Sequence, residues 1–257
     1  MSSSSVSRSY SSQWRFKPIL LAHILIALGL GALFAPLTHD YVQAFDLIIF
    51  KALNSSLEWG RPWQVFWALA NHKLADWLED IVILVFAAIY VRGAAKGQKL
   101  YRASQIVFLV LYSALIIFFV NKIILRDWVD ILRNSPTLVE ESSIKLSKHI
   151  SWLKIKDVST KSFPGDHATT AIIFGAAFVY LGSRKMKICA AVYAVFLCLP
   201  RMILGAHWLS DVVIGSGSIV GFFFVWAFCT PFAERCTKAI EKLLNVFRKK
   251  KPVITRS

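Results

Sequence analysis

Val212-Val-Ile-Gly-Ser-Gly-Ser-Ile-Val-Gly-Phe-Phe-Phe-Val-Trp-Ala-Phe-Cys-Thr-Pro-Phe232 runs for 21 residues without a charged side chain. In helical form such a run spans the roughly 30 Å hydrocarbon core of a bilayer, which needs about 20 residues. The same pattern recurs upstream. Ile19–Leu37, Leu74–Val91, Ser104–Leu125, Ala168–Leu181 and Ile188–Leu204 are apolar stretches separated by charged clusters. Six spans are therefore expected, the fourth being short and beginning near Phe163 or leaning on its neighbours. With 56% hydrophobic residues, the chain of 257 is too apolar for a soluble domain of that size.

The expected fold is all-α, a polytopic membrane bundle of six transmembrane helices. One membrane domain is expected over residues 18–234. The preceding 1–17, serine-rich through Met1–Ser12, is expected to be a disordered cytoplasmic tail, and 235–257 a basic cytoplasmic tail. The apolar run Pro18–Pro36 is longer than the core of a signal peptide and is read as the first span. Cys189, Cys198, Cys229 and Cys236 lie in or beside apolar runs without CxxC spacing, so neither a zinc site nor a disulfide framework is indicated.

A formal charge of +15 raises the question of nucleic acid, but topology places the charge better. Of the 30 Lys and Arg, 18 lie in the two tails and in the second-to-third and fourth-to-fifth connections, with only Glu234 and Glu241 of the 15 acids. Six spans put all four segments on one face, which the positive-inside rule makes cytoplasmic. Both termini are then cytoplasmic, and the remaining connections face outward. One of these, Thr38–Lys73, has a helical apolar pattern at Phe45, Ile48, Ile49, Ala52 and Leu53, with Trp59, Trp63 and Trp67 following. It is read as an interfacial helix with an aromatic anchor. The other, Arg126–His167, is long enough to be functional.

Three clusters on the outward face carry chemistry. The first holds Arg126 and Arg133, whose forked donors suit phosphate oxygens. The second is Ser162-Phe-Pro-Gly-Asp-His167, a histidine at a helix start, where backbone N–H groups favour an anion. In the third, Arg201-Met-Ile-Leu-Gly-Ala-His207-Trp-Leu-Ser-Asp211, the i and i+4 spacing puts a carboxylate one turn from a histidine. That carboxylate can set the tautomer and stabilise a substituted, cationic ring. Each cluster alone has a plain structural explanation, as a solvated loop, a helix cap or a satisfied junction. Together they supply what metal-free phosphoryl transfer needs: one histidine to attack phosphorus, another to protonate the leaving oxygen, and guanidiniums for the equatorial oxygens.

These clusters resemble the signature of the type 2 phosphatidic-acid phosphatase superfamily. Arg201, His207 and Asp211 match Arg-x5-His-x3-Asp in full. Pro164-Gly165-Asp166-His167 stands where Pro-Ser-Gly-His is usual, and Arg126-x6-Arg133-Asn134 where Lys-x6-Arg-Pro is usual. Gly165 thus replaces a phosphate-contacting serine, and Asp166 places an acid beside the histidine. The segments around Arg133, Ser162 and Leu199 look like one branch, which moves a phosphate from undecaprenyl diphosphate to the 1-phosphate of lipid A in Gram-negative inner membranes.

The resemblance implies His207 as nucleophile with Asp211 orienting it, and His167 as general acid and base. It implies phosphate binding by Arg201, Arg133, Arg126, Gly165 and Asp166, without metal or cofactor. Membrane lipids are the implied partners, with undecaprenyl diphosphate and lipid A as substrates, the site periplasmic, and no nucleic acid. Water as acceptor would give instead a phosphatase of undecaprenyl diphosphate, phosphatidylglycerol phosphate or phosphatidic acid. A transporter is disfavoured because its charges would sit at mid-span, whereas Arg201, His207 and Asp211 crowd one end. The outward cations Lys145, Lys148, His149, Lys154, Lys156 and Lys161, with Lys51, Arg61, His72 and Lys73, are candidates for holding an anionic acceptor.

Overall fold

The computed structural model describes residues 10–129 and 131–249. The side chains of residues 121, 122, 125–129 and 249 lie outside that description. The expectations for the first nine residues, for 250–257 and for the Arg126 side chain fall there too.

Helix α1, Phe16–Phe34, ends at Ala35, whose ψ of 133° is extended. Ala35 precedes Pro36, and a proline ring disfavours the helical conformation in its predecessor. The first expected span therefore stops at Phe34, and Leu37 belongs to α2, Pro36–Ser55. In α2 the stripe Asp46, Phe50 and Asn54 is buried, while Phe45 and Ile48 are exposed. The inward face carries an acid and an amide and much of the apolar pattern faces out, an arrangement that suits a helix lying against hydrocarbon. A short turn, Ser56–Trp59, leads to α3, Arg61–Ala70. Trp67 of α3 is buried, and its ring lies 6.1 Å from that of Phe196.

The remaining helices are α4 (Lys73–Arg92), α5 (Lys99–Leu115), α6 (Pro136–Val139), α7 (Leu146–His149), α8 (Asp166–Leu181), α9 (Arg184–Ile203), α10 (Gly217–Phe228) and α11 (Phe232–Lys249). A π-helical stretch, Ile116–Val129, continues α5, and a π-helical turn, Asp211–Ser216, opens into α10. Among the described residues there is no strand, only one parallel bridge between Arg133 and Lys161.

Among the described residues, four helical stretches are long and apolar enough to cross a membrane: Phe16–Phe34, Lys96–Val120, Arg184–Ile203 and Asp211–Phe228. The other two expected spans form helices but fall outside that class. Helix α4 carries Lys73, Asp76, Glu79, Asp80 and Arg92, and α8 has 16 residues. Helices α8 and α9 approach closely at Gly175, where an added Cβ would lie 2.8 Å from Ala194 Cβ. The main core joins Phe108, Phe174, Phe178, Phe224 and Phe228. Tyr10 is buried in the same core, its ring stacked on Phe228 at 5.2 Å. The basic segment from Arg235 is helical to Lys249, and α11 packs on α5, where Phe232 meets Phe108 and Tyr101 bonds Glu234. All four cysteines are free.

Candidate active site

Backbone pairing brings the three sequence clusters together. Arg133 N–H donates to Thr160 O at 3.2 Å, Ser162 N–H to Arg133 O at 2.9 Å, and Ser135 N–H to Ser159 O at 2.8 Å. The first cluster is thereby clasped to the second. Ser162 O then accepts from His207 Nδ1 at 2.6 Å, which ties the second to the third.

His207 sits in the turn between α9 and Asp211–Ser216. Arg201 O accepts from Ala206 N–H at 2.9 Å and His207 N–H at 3.3 Å, and Gly205 takes a φ of 77° to make the reversal. A Cβ there would run into Thr137 Cγ2 and come within 2.8 Å of Phe50 Cε2. Thr137 Oγ1 donates to Gly205 O at 3.1 Å, so the long loop fastens the turn. The His207 side chain is buried, and that burial pushes its pKa down to about 3, with Lys156, Arg201 and His167 acting in the same direction. The ring is neutral at ordinary pH. Its one hydrogen lies on Nδ1, donated to Ser162 O, which leaves Nε2 with a free lone pair.

Asp211 Oδ2 lies 3.9 Å from His207 Nδ1, beyond hydrogen-bond range. The carboxylate instead accepts from Trp208 N–H at 2.8 Å and from Arg133 Nη1. Arg133 Nη2 donates to Asp46 at 2.9 Å, Nη1 to Ser210 Oγ at 2.8 Å, and the guanidinium lies 5.7 Å from the Trp208 ring. Asp46 also accepts from Ser210 N–H at 2.9 Å. One guanidinium therefore joins two buried carboxylates beneath His207. Asp46 was not picked out from sequence. The available signal was an acid at i with Phe50 and Asn54 at i+4 and i+8, inside an apolar stretch.

On the other side, Arg201 Nη2 donates to His167 Nε2 at 2.7 Å. Pro200 and Arg201 close α9, and His167 stands in the first turn of α8. Gly165 is the N-cap of α8, and its carbonyl accepts from Ser216 Oγ at 2.9 Å. A Cβ on Gly165 would press on Ala168 Cβ at 3.2 Å and meet Ser216 Oγ and His207 Cγ at ordinary van der Waals distance, 3.6 and 3.7 Å. Asp76 of α4 reaches His167 Nδ1 at 3.7 Å, and Glu79 lies close by. Neither acid was singled out from sequence; both fall inside the expected span Leu74–Val91.

A cavity of about 560 Å³ opens over His207, lined also by Asp166, Thr160, Lys156 and Lys161. A second, of about 610 Å³, lies between His39, Asp40, Gln43, Arg133, Asn134 and Trp208. The expected cations divide accordingly. Lys51 pairs with Glu140 at 2.7 Å, Arg61 donates to His149 O at 2.9 Å, and His72 caps α4. Lys156 and Lys161 line the wall of the His207 cavity.

A neutral histidine with a bare Nε2, a second histidine bonded to an arginine, and a lysine-lined cavity together form a constellation for handling phosphate. In agreement, residues 106–235 match the PAP2 superfamily model, and the chain belongs to that superfamily. It is an enzyme that acts on lipid phosphates, and a multi-pass membrane protein. It is similar to lipid A 1-diphosphate synthase of Escherichia coli (strain K12), with 27% identity over 228 residues, 88% of this chain and 92% of that protein. No solved structure matches it.

Proposed function

We propose that the enzyme transfers a phosphate from undecaprenyl diphosphate to the 1-phosphate of lipid A through a phosphohistidine on His207. The supporting observation is the 2.6 Å bond from His207 Nδ1 to Ser162 O, which fixes the tautomer and leaves Nε2 as nucleophile. In the first half-reaction Nε2 bonds to the terminal phosphorus. The bond from that phosphorus to the bridging oxygen breaks, and His167 supplies the proton to the leaving undecaprenyl phosphate. Arg201, bonded to His167, holds the equatorial oxygens. Gly165 and Asp166 shape the cavity beside His167. In the second half-reaction an oxygen of the acceptor phosphate bonds to that phosphorus as its bond to His207 Nε2 breaks, His167 takes any proton the attacking oxygen carries, and the lipid A diphosphate leaves.

Arg133 contributes indirectly in this scheme, since its Nη atoms hold Asp46 and Asp211. Asp211 stabilises the turn through Trp208 N–H and offers a nearby negative charge to the cationic phosphohistidine. Residues 18–234 form the catalytic membrane domain, with α4 and α8 as further spans and the site at the periplasmic face of the inner membrane. The termini are then cytoplasmic, and the outward end of α2 lies at the interface.

The similarity to a lipid A 1-diphosphate synthase supports the choice of acceptor, and Lys156 and Lys161 supply cations near the nucleophile. The test follows terminal-phosphate label from undecaprenyl diphosphate in purified enzyme. The label should appear on lipid A faster than as free phosphate, and His207→Ala should abolish both. Free phosphate as the sole labelled product, with lipid A in excess, would replace the transferase by a phosphatase.

A further inference from the structure

We propose that Asp76, with Glu79 beside it, is a positioning residue that holds His167 as the general acid. The inference rests on the phosphohistidine reading above but uses side chains that reading leaves idle. A guanidinium can only donate, so the 2.7 Å contact from Arg201 makes His167 Nε2 an acceptor and puts the neutral ring's hydrogen on Nδ1. Nδ1 faces Asp76 Oδ1 at 3.7 Å, within ion-pair reach. One ligand-type atom from each of Asp76, Glu79 and His167 falls within 4.8 Å of the others. The two acids are at i and i+3, on one face of α4, at the end of a helix that continues as the uncharged run Ile81–Tyr90.

The groups facing His167 fall into two sets. Burial, Arg201 of α9 and Lys156 of the loop oppose a positive ring, while Asp76 of α4 and Asp166 of α8 favour one; Glu79 stands beside Asp76, and His207 is neutral. When phosphate arrives, Arg201 turns its donors to the phosphate oxygens and frees Nε2. Nε2 then takes a proton from solvent hydronium, leaving water, and Asp76 stabilises the imidazolium. That Nε2 proton passes to the bridging oxygen as its bond to phosphorus breaks and the bond from His207 Nε2 to phosphorus forms.

A divalent cation could use the same three side chains, but the Arg201 guanidinium already supplies positive charge there. The two readings separate experimentally. In full-length enzyme in lipid nanodiscs, Asp76→Asn should lower kcat for phosphate release from undecaprenyl diphosphate about ten- to a hundredfold, part of a general acid's total contribution, with little change in KM. A general acid must be protonated, so activity falls as pH rises through its pKa. Removing Asp76 lowers that pKa, and the alkaline limb should move down by about one pH unit. Asp76→Glu should restore most of the rate. Histidine-selective ¹⁵N NMR on the same variants should show the His167 midpoint falling in step, a readout independent of turnover. An unmoved limb and midpoint would overturn the proposal, as would EDTA inhibition of the wild type that Mg²⁺ or Mn²⁺ reverses but Asp76→Asn abolishes. Persistent activity in His207→Ala would instead sink the phosphohistidine reading, leaving the His167 midpoint to decide the role of Asp76.

Discussion

Arg133 illustrates how far a side chain's role depends on its partners. From sequence its guanidinium reads as a phosphate ligand. In the fold it joins Asp46 of α2 to Asp211, and all three side chains are largely buried. Removing one partner from a buried ion pair leaves uncompensated charge, at a cost of about 3–5 kcal/mol. Arg133→Ala should therefore lower the thermal unfolding midpoint in detergent, followed by tryptophan fluorescence. Adding Asp46→Asn should recover part of the loss, because one orphaned charge is removed while an acceptor for Ser210 N–H remains. A variant of unchanged stability would show that the pair contributes nothing net and return Arg133 to the list of direct phosphate ligands.

Gly205 ends the run that begins in α9 and turns the chain so that His207 meets Ser162 O. Its φ of 77° lies where only glycine is at ease, and Thr137 and Phe50 occupy the space a methyl group would need. Gly205→Ala should cost about 1–3 kcal/mol from backbone strain alone. Displacement of Phe50 or Thr137 adds to that. Because the turn carries the proposed nucleophile, kcat should fall more than stability does, as parallel assays of phosphate release and thermal unfolding would reveal. Equal activity in Gly205→Ala would mean that the turn relaxes without moving His207. The same logic explains the clasp between Arg133 and Ser162. It aligns backbone carbonyls rather than side chains, so no residue type in the sequence announces it.

The placement of the site relative to the bilayer belongs to the whole bundle. Lys154 lies in the exposed loop leading to the cavity, and Lys185 in the exposed first turn of α9. In a background with all four cysteines replaced, Lys154→Cys should react with an impermeant thiol reagent applied from the periplasm, and Lys185→Cys should not. Cys189 must be replaced because it is exposed. The reverse pattern would turn the molecule over and exclude a periplasmic acceptor. Ser135, a natural choice from sequence, is fully buried and would report falsely.

Composition and spacing alone determined much of this protein. Apolar runs of bilayer length dictate helices, and the motif of Arg201, His207 and Asp211, taken with the other two clusters, carries the resemblance to the family that the chain belongs to. These signals are local, set by properties each residue keeps in any context. What only the tertiary structure decided are the pairings between distant segments. The Ser162 carbonyl replaces Asp211 as the hydrogen-bond partner of His207 Nδ1. Asp46 reaches the site from more than 160 residues away, and α4 brings Asp76 and Glu79 to His167. A buried acid within an apolar helix is legible as a residue in need of a partner, but which partner it meets depends on how the helices pack.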